Sequence, residues 1–267
     1  MSVLQAILIA LFVYLGSIGS VVGNTLGWYD LGRPLVASFI VGLIMGNVPV
    51  AVALGLLLQL ANLGSVTPGG AVGWDLSYAT YIGVGGALAF YNGDMATTVA
   101  LMWVFSTVGG AIGVAMWNLV YAVNLGVNRV AMKGAENANP RQIAFANAGL
   151  GNIVGFVFRF VPALIILITT AVVGSQTGFN VAEIIPAWLT TILGAFGGMM
   201  AALGMGILLS FLMKKPVHFA IFIIGFMLIK YLGLSMMAVA IFAIAAAVIY
   251  YSIVSAKEEK GQEGGVA

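Results

Sequence analysis

Between Gln59 and Asp75 the chain reads QLANLGSVTPGGAVGWD, which gathers Gln59, Asn62, Ser65, Thr67, Trp74 and Asp75 within seventeen positions. Amides, hydroxyls, a carboxylate and an indole are the means of holding a neutral, hydroxyl-rich solute. The polar groups hydrogen-bond neighbouring hydroxyls and the ring packs on an apolar face. Asn24, in a polar and aromatic turn with Trp28, Tyr29 and Asp30, adds another candidate amide. Arg159 lies in GFVFRFVPAL, three residues before Pro162, and Asn152 lies on the same apolar segment. A guanidinium in such a place must face protein or water and find a partner. Two roles are open to Arg159: a solute or gating contact, or a structural ion pair or donor to carbonyls exposed by the proline. Asn147 and Asn152 either extend that polar face or bond between helices.

Catalysis has no comparable set of residues. There is no GxxxxGK[ST], HExxH or GxSxG, and the carboxylates are isolated. The absence of Cys excludes disulfides and thiol chemistry, a single His, His218, cannot assemble a metal centre, and no cofactor is expected. His218, after Lys214, Lys215 and Pro216, reads as an interfacial side chain. The net charge of +2 is scattered over segment ends, which gives no surface for nucleic acid.

The residues singled out must be positioned within a membrane. Hydrophobic residues make up 62% of the chain and charged residues 7%, against roughly 25% charged in soluble domains. Irregular polar backbone at membrane depth survives only where it is buried in protein or lines a watery cavity, so the 59–75 stretch should line a site. The apolar start, MSVLQAILIALFVYLG, reads as a first membrane segment over 3–23 and not as a removed signal. Asp30 and Arg33 are placed to form an interfacial pair. Asn47 and Pro49 interrupt the apolar region 35–63, predicting either one kinked span or two half-helices. Residues 79–90 are too short to cross alone, since a span needs about 20 residues. The polar stretch 59–78 between short apolar arms therefore predicts a re-entrant hairpin.

Further along, 95–127 is long enough for a tilted helix, and 128–141 is a hydrophilic gap holding Arg129, Lys133 and Arg141 against Glu136. Its basic excess assigns that gap to the cytoplasm. Apolar segments at 142–173, 186–212, 217–229 and 233–254 follow, with Lys214 and Lys215 again on the inner side. The expected fold is an all-α polytopic membrane protein with broken helices and a re-entrant hairpin. Residues 1–254 form one multi-span domain and 255–267 a short cytoplasmic tail. The first-segment glycines, Gly109, Gly110 and Gly113, and Gly194, Gly197, Gly198 and Gly204, offer more close-packing faces than a bundle of this size needs, which points to partner helices.

The stretches DLGRPLVASFIVGLIMGN (30–47) and GLLLQLANLG (55–64), with the Arg-x-x-Pro of 159–162, carry a family likeness. Over nearly its whole length the chain resembles the IIC membrane component of the bacterial sugar phosphotransferase system (PTS), in the mannose, fructose, sorbose and N-acetylgalactosamine branch. The resemblance implies a PTS IIC transmembrane domain in the bacterial cell membrane. It would bind a hexose or amino-sugar and move it inward in an elevator-like step. It implies a IID membrane subunit as partner and phosphorylated IIB, with IIA upstream, as the source of phosphate; the bilayer surrounds the assembly and self-association is compatible with it. Phosphoryl transfer belongs to those soluble partners, so His218 inherits no role and the chain is a transport subunit, not itself an enzyme. Many relatives carry Glu in the segment matching 55–64, where this chain has Gln59, so the sugar is left open. Three other classes remain: a cation-coupled secondary transporter, which calls for more embedded carboxylates than Asp75 and Asp94; an intramembrane enzyme, which calls for a paired acid and base; and a structural membrane subunit without substrate contacts.

Overall fold

The computed structural model describes residues 1–63, 74–175 and 187–263, and among these every regular element is helical. Helices satisfy their own backbone groups, which is the requirement lipid imposes on long apolar runs. Three described helical stretches are long and apolar enough to cross a bilayer: Met95–Glu136, Pro140–Gly174 and Met236–Ser255. The chain divides into two compact units, Met1–Leu208 and Leu209–Ala267.

In the first unit, helix α1 (Val3–Leu15) starts with a capping box in which Ser2 Oγ accepts from Gln5 N and Gln5 Oε1 accepts from Ser2 N. It is shorter than the expected 3–23 segment. Gly19 and Gly23 take φ of 71° and 76°, a left-handed backbone that ends helical continuation, so α1 is only about 20 Å long. The expected turn around Asn24 is instead a π-helical segment, Asn24–Leu31, bent by 80° from α2 (Pro34–Met45). Arg33 does not form the expected ion pair with Asp30. Its guanidinium lies 6.0 Å from the Trp28 ring centre and 5.7 Å from that of Tyr29, where cation–π attraction takes the place of a salt bridge.

The interruption at Asn47 produces two helices and not one kinked span. Gly46, at φ 77°, ends α2, and the Asn47 side chain caps α3 (Val48–Ala61) with Pro49 in its first turn. A Cβ at Gly42 would meet Val48 and Ala51, and one at Gly55 would meet Ser38 and Pro34, so the two short helices lie antiparallel at glycine-limited distance. The tight hairpin among the described residues is thus 34–61. The middle of the hairpin expected at 59–78 lies outside the described residues.

Helix α4 (Leu76–Ala89) is the axis of this unit, with every residue from Leu76 to Leu88 buried. Small residues let its neighbours close on it. Gly83 meets Ser106, Gly86 meets Phe105, and Gly85 fits beside Ile9 of α1 and Leu167 of a later helix. Helix α5 (Met95–Glu136) has 42 residues, about 63 Å at the α-helical rise, and continues through most of the expected 128–141 gap. Only Asn137–Asn139 is non-helical before α6 (Pro140–Ala144), a π-helical turn at Phe145–Leu150 and α7 (Gly151–Ser175).

The glycine argument for partner helices also needs correction. Gly109 packs against Tyr78 and Ile82, Gly110 against the Trp74 ring, and Gly113 against Asp75 and Tyr78, so this cluster is used within the chain.

The second unit holds helices Pro216–Lys230 and Met236–Glu263, joined through Gly233 at φ 65°. The latter runs past residue 254, where a separate tail was expected to begin. Within this unit no side chain of Pro216–Lys230 or Met236–Ser255 is buried.

Candidate functional site

Where α1, α4, α5 and α7 converge, Arg159 Nη1 lies 2.5 Å from Asp75 Oδ2, with side-chain exposures of only 2% and 3%. This is the one ion pair among the described residues. Arg159 Nε donates to Ser17 Oγ at 2.8 Å, and Nη1 also donates to the Gly113 carbonyl at 3.2 Å. The guanidinium lies over Tyr78, 4.5 Å from its ring centre, and 5.9 Å from that of Trp117. Asp75 uses its other oxygen to cap α4, accepting from Tyr78 N at 2.9 Å. Both charges thus have dense polar company, the condition under which a buried pair is tolerated and removal of one partner becomes expensive.

Pro162 explains a second contact. Lacking an N–H, it leaves the Phe158 carbonyl without its helical donor. Tyr78 reaches across from α4: its hydroxyl donates to the Arg159 carbonyl at 2.6 Å and lies 3.2 Å from the Phe158 carbonyl. The proline-exposed carbonyl is therefore served by Tyr78, while the Arg159 guanidinium goes to Asp75.

The structure brings together Trp74, Asp75 and Arg159. The Trp74 ring lies on Gly110, and its buried indole N–H has no hydrogen-bond partner among the described residues. Gln59 is half-buried near the end of α3, and Asn62 closes that helix, donating from Nδ2 to Leu58 O at 2.9 Å. Ser65 and Thr67 lie outside the described residues, between these two groups in sequence. Asn24 is exposed at the start of the π-helical segment, and its Oδ1 accepts from Gly19 N at 2.8 Å. Asn152 is held away from Arg159, accepting from Tyr14 OH at 3.4 Å and donating to Ala148 O at 2.8 Å. His218 is a half-buried side chain in the first turn of Pro216–Lys230, its Nδ1 lying 3.0 Å from Leu212 O.

Ser17, Tyr78, Gly113 and Trp117 were not singled out from sequence as site residues. The available signal for Gly113 was its small size: a Cβ there would lie 2.5 Å from Asp75 Cβ and 2.7 Å from Tyr78 Cβ. Chemically the arrangement is a polar lock, with Arg159 Nε and Nη1 both donating to buried groups. It fixes the point at which the polar stretch re-enters the helical core.

Comparison with known proteins gives this geometry a family. The model of the PTS system sorbose-specific IIC component matches residues 3–249. The mannose-specific EIIC component of Escherichia coli K12 is 22% identical over 251 residues, covering 94% of this chain and 89% of that protein. The sorbose-specific EIIC component of Klebsiella pneumoniae is 25% identical over 252 residues, covering 94% and 90%. That of Lacticaseibacillus casei is 27% identical over 256 residues, covering 94% and 86%. Among solved structures, one described as a membrane protein superposes with a TM-score of 0.77 at 22% identity, covering 94% of this chain and 96% of its own. A chain from the cryo-EM complex of the mannose transporter ManYZ with microcin E492 gives 0.52 at 21% identity, with the same coverage. The fold is shared with these structures, and the match over residues 3–249 shows that this chain belongs to the PTS sorbose-specific IIC component family.

Proposed function

We propose that the chain is the sugar-translocating IIC subunit of a mannose-family phosphotransferase system in the bacterial cell membrane. It binds a hexose or amino-sugar from outside and presents it inside for phosphorylation by phospho-IIB, with a IID subunit completing the permease. The family match over residues 3–249 carries the proposal. The names of the relatives, mannose- and sorbose-specific, supply the class of substrate.

The sugar site lies along the 59–75 stretch. Gln59, Asn62, Ser65 and Thr67 supply hydrogen bonds and Trp74 an apolar ring. Asp75, held by Arg159, acts chiefly by fixing the end of the stretch, and Arg159 is a positioning residue. This division leaves no uncommitted carboxylate at the site to couple a cation: Asp75 is paired, and Asp94 is engaged at the start of α5. The basic end of α5 and the C-terminal tail face the cytoplasm.

Uptake in vesicles with an intact phosphorelay tests the assignment. Loss of one neutral hydrogen bond, typically about 1 kcal/mol, should raise the apparent KM about fivefold in Gln59→Ala. Unchanged KM in Gln59→Ala, Asn62→Ala and Trp74→Leu would place the site elsewhere.

A further inference from the structure

Beyond the buried lock, the inner half of α5 and the chain that returns beside it enclose a half-open cavity of about 470 Å³. Its wall on α5 is Tyr121, Asn124, Val127, Asn128 and Ala131; the facing wall includes Asn147. Asn147 is placed by the π-helical turn at Phe145–Leu150, the kind of local widening that often marks functional positions. The volume falls in the range of small-molecule sites, roughly 300–1,000 Å³.

Its chemistry is unusual for this chain. Three amides converge on it, and no lining residue is charged. Asn124 Oδ1 is buried and accepts no hydrogen bond from the described residues; Asn128 and Asn147 are exposed at the cavity and have no side-chain bonds among the described residues. A buried acceptor of this kind is normally completed by a donor from water or ligand. A phosphate, a lipid headgroup or a metal ion would call for charge in the wall. Neutral hydroxyls, each both donor and acceptor, match amides directly, with the Tyr121 ring available for an apolar face.

One stripe of α5 runs from the lock to the cavity wall. Gly113, Trp117, Tyr121, Asn124 and Asn128 recur at helical spacing along one stripe of α5. At its upper end Gly113 accepts from Arg159. Trp117 lies beside that guanidinium, its ring centre 4.7 Å from that of Tyr121 in an edge-on contact, and its buried indole N–H has no partner among the described residues. Asn124 lies about 44 Å along the helix from Met95, which places the cavity at the inner interface of a bilayer 40–45 Å thick when Met95 is outside.

We infer that the amide-lined cavity at Asn124, Asn128 and Asn147 is a second, inward-side station for the neutral sugar, separate from the 59–75 stretch. The inference rests on the sugar-permease reading and extends it. Sugar released from the first site would be retained there within reach of the cytoplasmic face before phosphorylation.

Equilibrium binding of labelled mannose, sorbose and amino-sugars to the complete membrane complex in nanodiscs tests this. Wild type should show two sites per copy of this chain. Asn128→Leu/Asn147→Leu, which changes only exposed and unengaged side chains, should weaken one of them about tenfold or more while leaving the other intact. Gln59→Ala should do the reverse, and Asn124→Leu should repeat the loss with an unaltered melting temperature. A wild-type complex with a single site, or two sites insensitive to the cavity substitutions, would overturn the second station while leaving the permease intact. Failure of wild type to bind any of mannose, sorbose or amino-sugars would overturn both.

Discussion

Replacing Asp75 by Asn keeps the shape of the side chain and, because Asn caps helices about as well as Asp, most of the α4 cap. What it removes is the charge facing Arg159, at a place where the two side chains are 2% and 3% exposed. Stranding one member of a buried pair costs about 3–5 kcal/mol. For a chain of this size, at roughly 2–4 °C per kcal/mol, that amounts to a fall in melting temperature of about 6–20 °C. Arg159→Met should cost a similar amount. The double variant Asp75→Asn/Arg159→Met removes both charges and leaves no stranded ion, so it should be more stable than the sum of the two single changes by about 2 kcal/mol or more. Melting of the purified protein in detergent, with retention of helical circular dichroism checked before heating, supplies the four corners of the cycle. If either single change lowers the melting temperature by less than about 3 °C, or the two effects simply add, the lock is not what holds the four elements together.

Other consequences follow from specific contacts. Tyr78→Phe removes the hydroxyl that serves the carbonyls of Phe158 and Arg159 and should cost about 1–3 kcal/mol; hydrogen exchange should quicken locally in α7 around Pro162, and unchanged exchange there would refute the role. Asp94 caps α5, and its carboxyl is held below the usual range by the Thr97 hydroxyl and the backbone N–H groups of Ala96 and Thr97. A depressed carboxyl contributes stability above its ordinary pKa and loses it as pH falls, so the protection of amides at the start of α5, taken relative to their intrinsic exchange rates, should drop below about pH 4; Asp94→Asn should flatten that dependence. A cysteine at Asn137, in the short break after α5, should react with an impermeant thiol reagent only in inverted vesicles, and labelling in right-side-out vesicles would reverse the orientation.

Much of the fold was readable because lipid imposes simple rules. Long apolar runs predicted helices, Asn47 and Pro49 marked a real chain reversal, and Arg159 beside Pro162 was identifiable as a charge in need of company. The lock itself was not readable in the same way: Asp75 and Arg159 are 84 positions apart, and periodicity along one helix carries no information about a partner on another. Their isolation as opposite charges within apolar sequence was the usable clue. The 128–141 stretch was read as a hydrophilic gap, and its polarity alone did not show that most of it is helical. Arg129, Ala131, Met132, Lys133, Ala135 and Glu136 are all good helix formers, and no proline intervenes before Pro140, so α5 simply continues into a polar environment. Gly109, Gly110 and Gly113 were read as faces awaiting other chains, whereas Trp74, Asp75, Tyr78 and Ile82 already pack against them. The α5 cavity depends on a turn of π-helix and on amides from two sides of a chain reversal, neither of which leaves a sequence pattern.

Reconstitution of the purified chain in liposomes tests the central claim most directly. Labelled mannose, sorbose and amino-sugars are followed with the chain alone, with its IID partner, and with IID plus phosphorylated IIB, and the chemical form of each sugar inside is identified. The account predicts negligible accumulation from the chain alone and phosphosugar only with the full set. Uphill accumulation of unmodified sugar by the isolated chain under a proton or sodium gradient would contradict it.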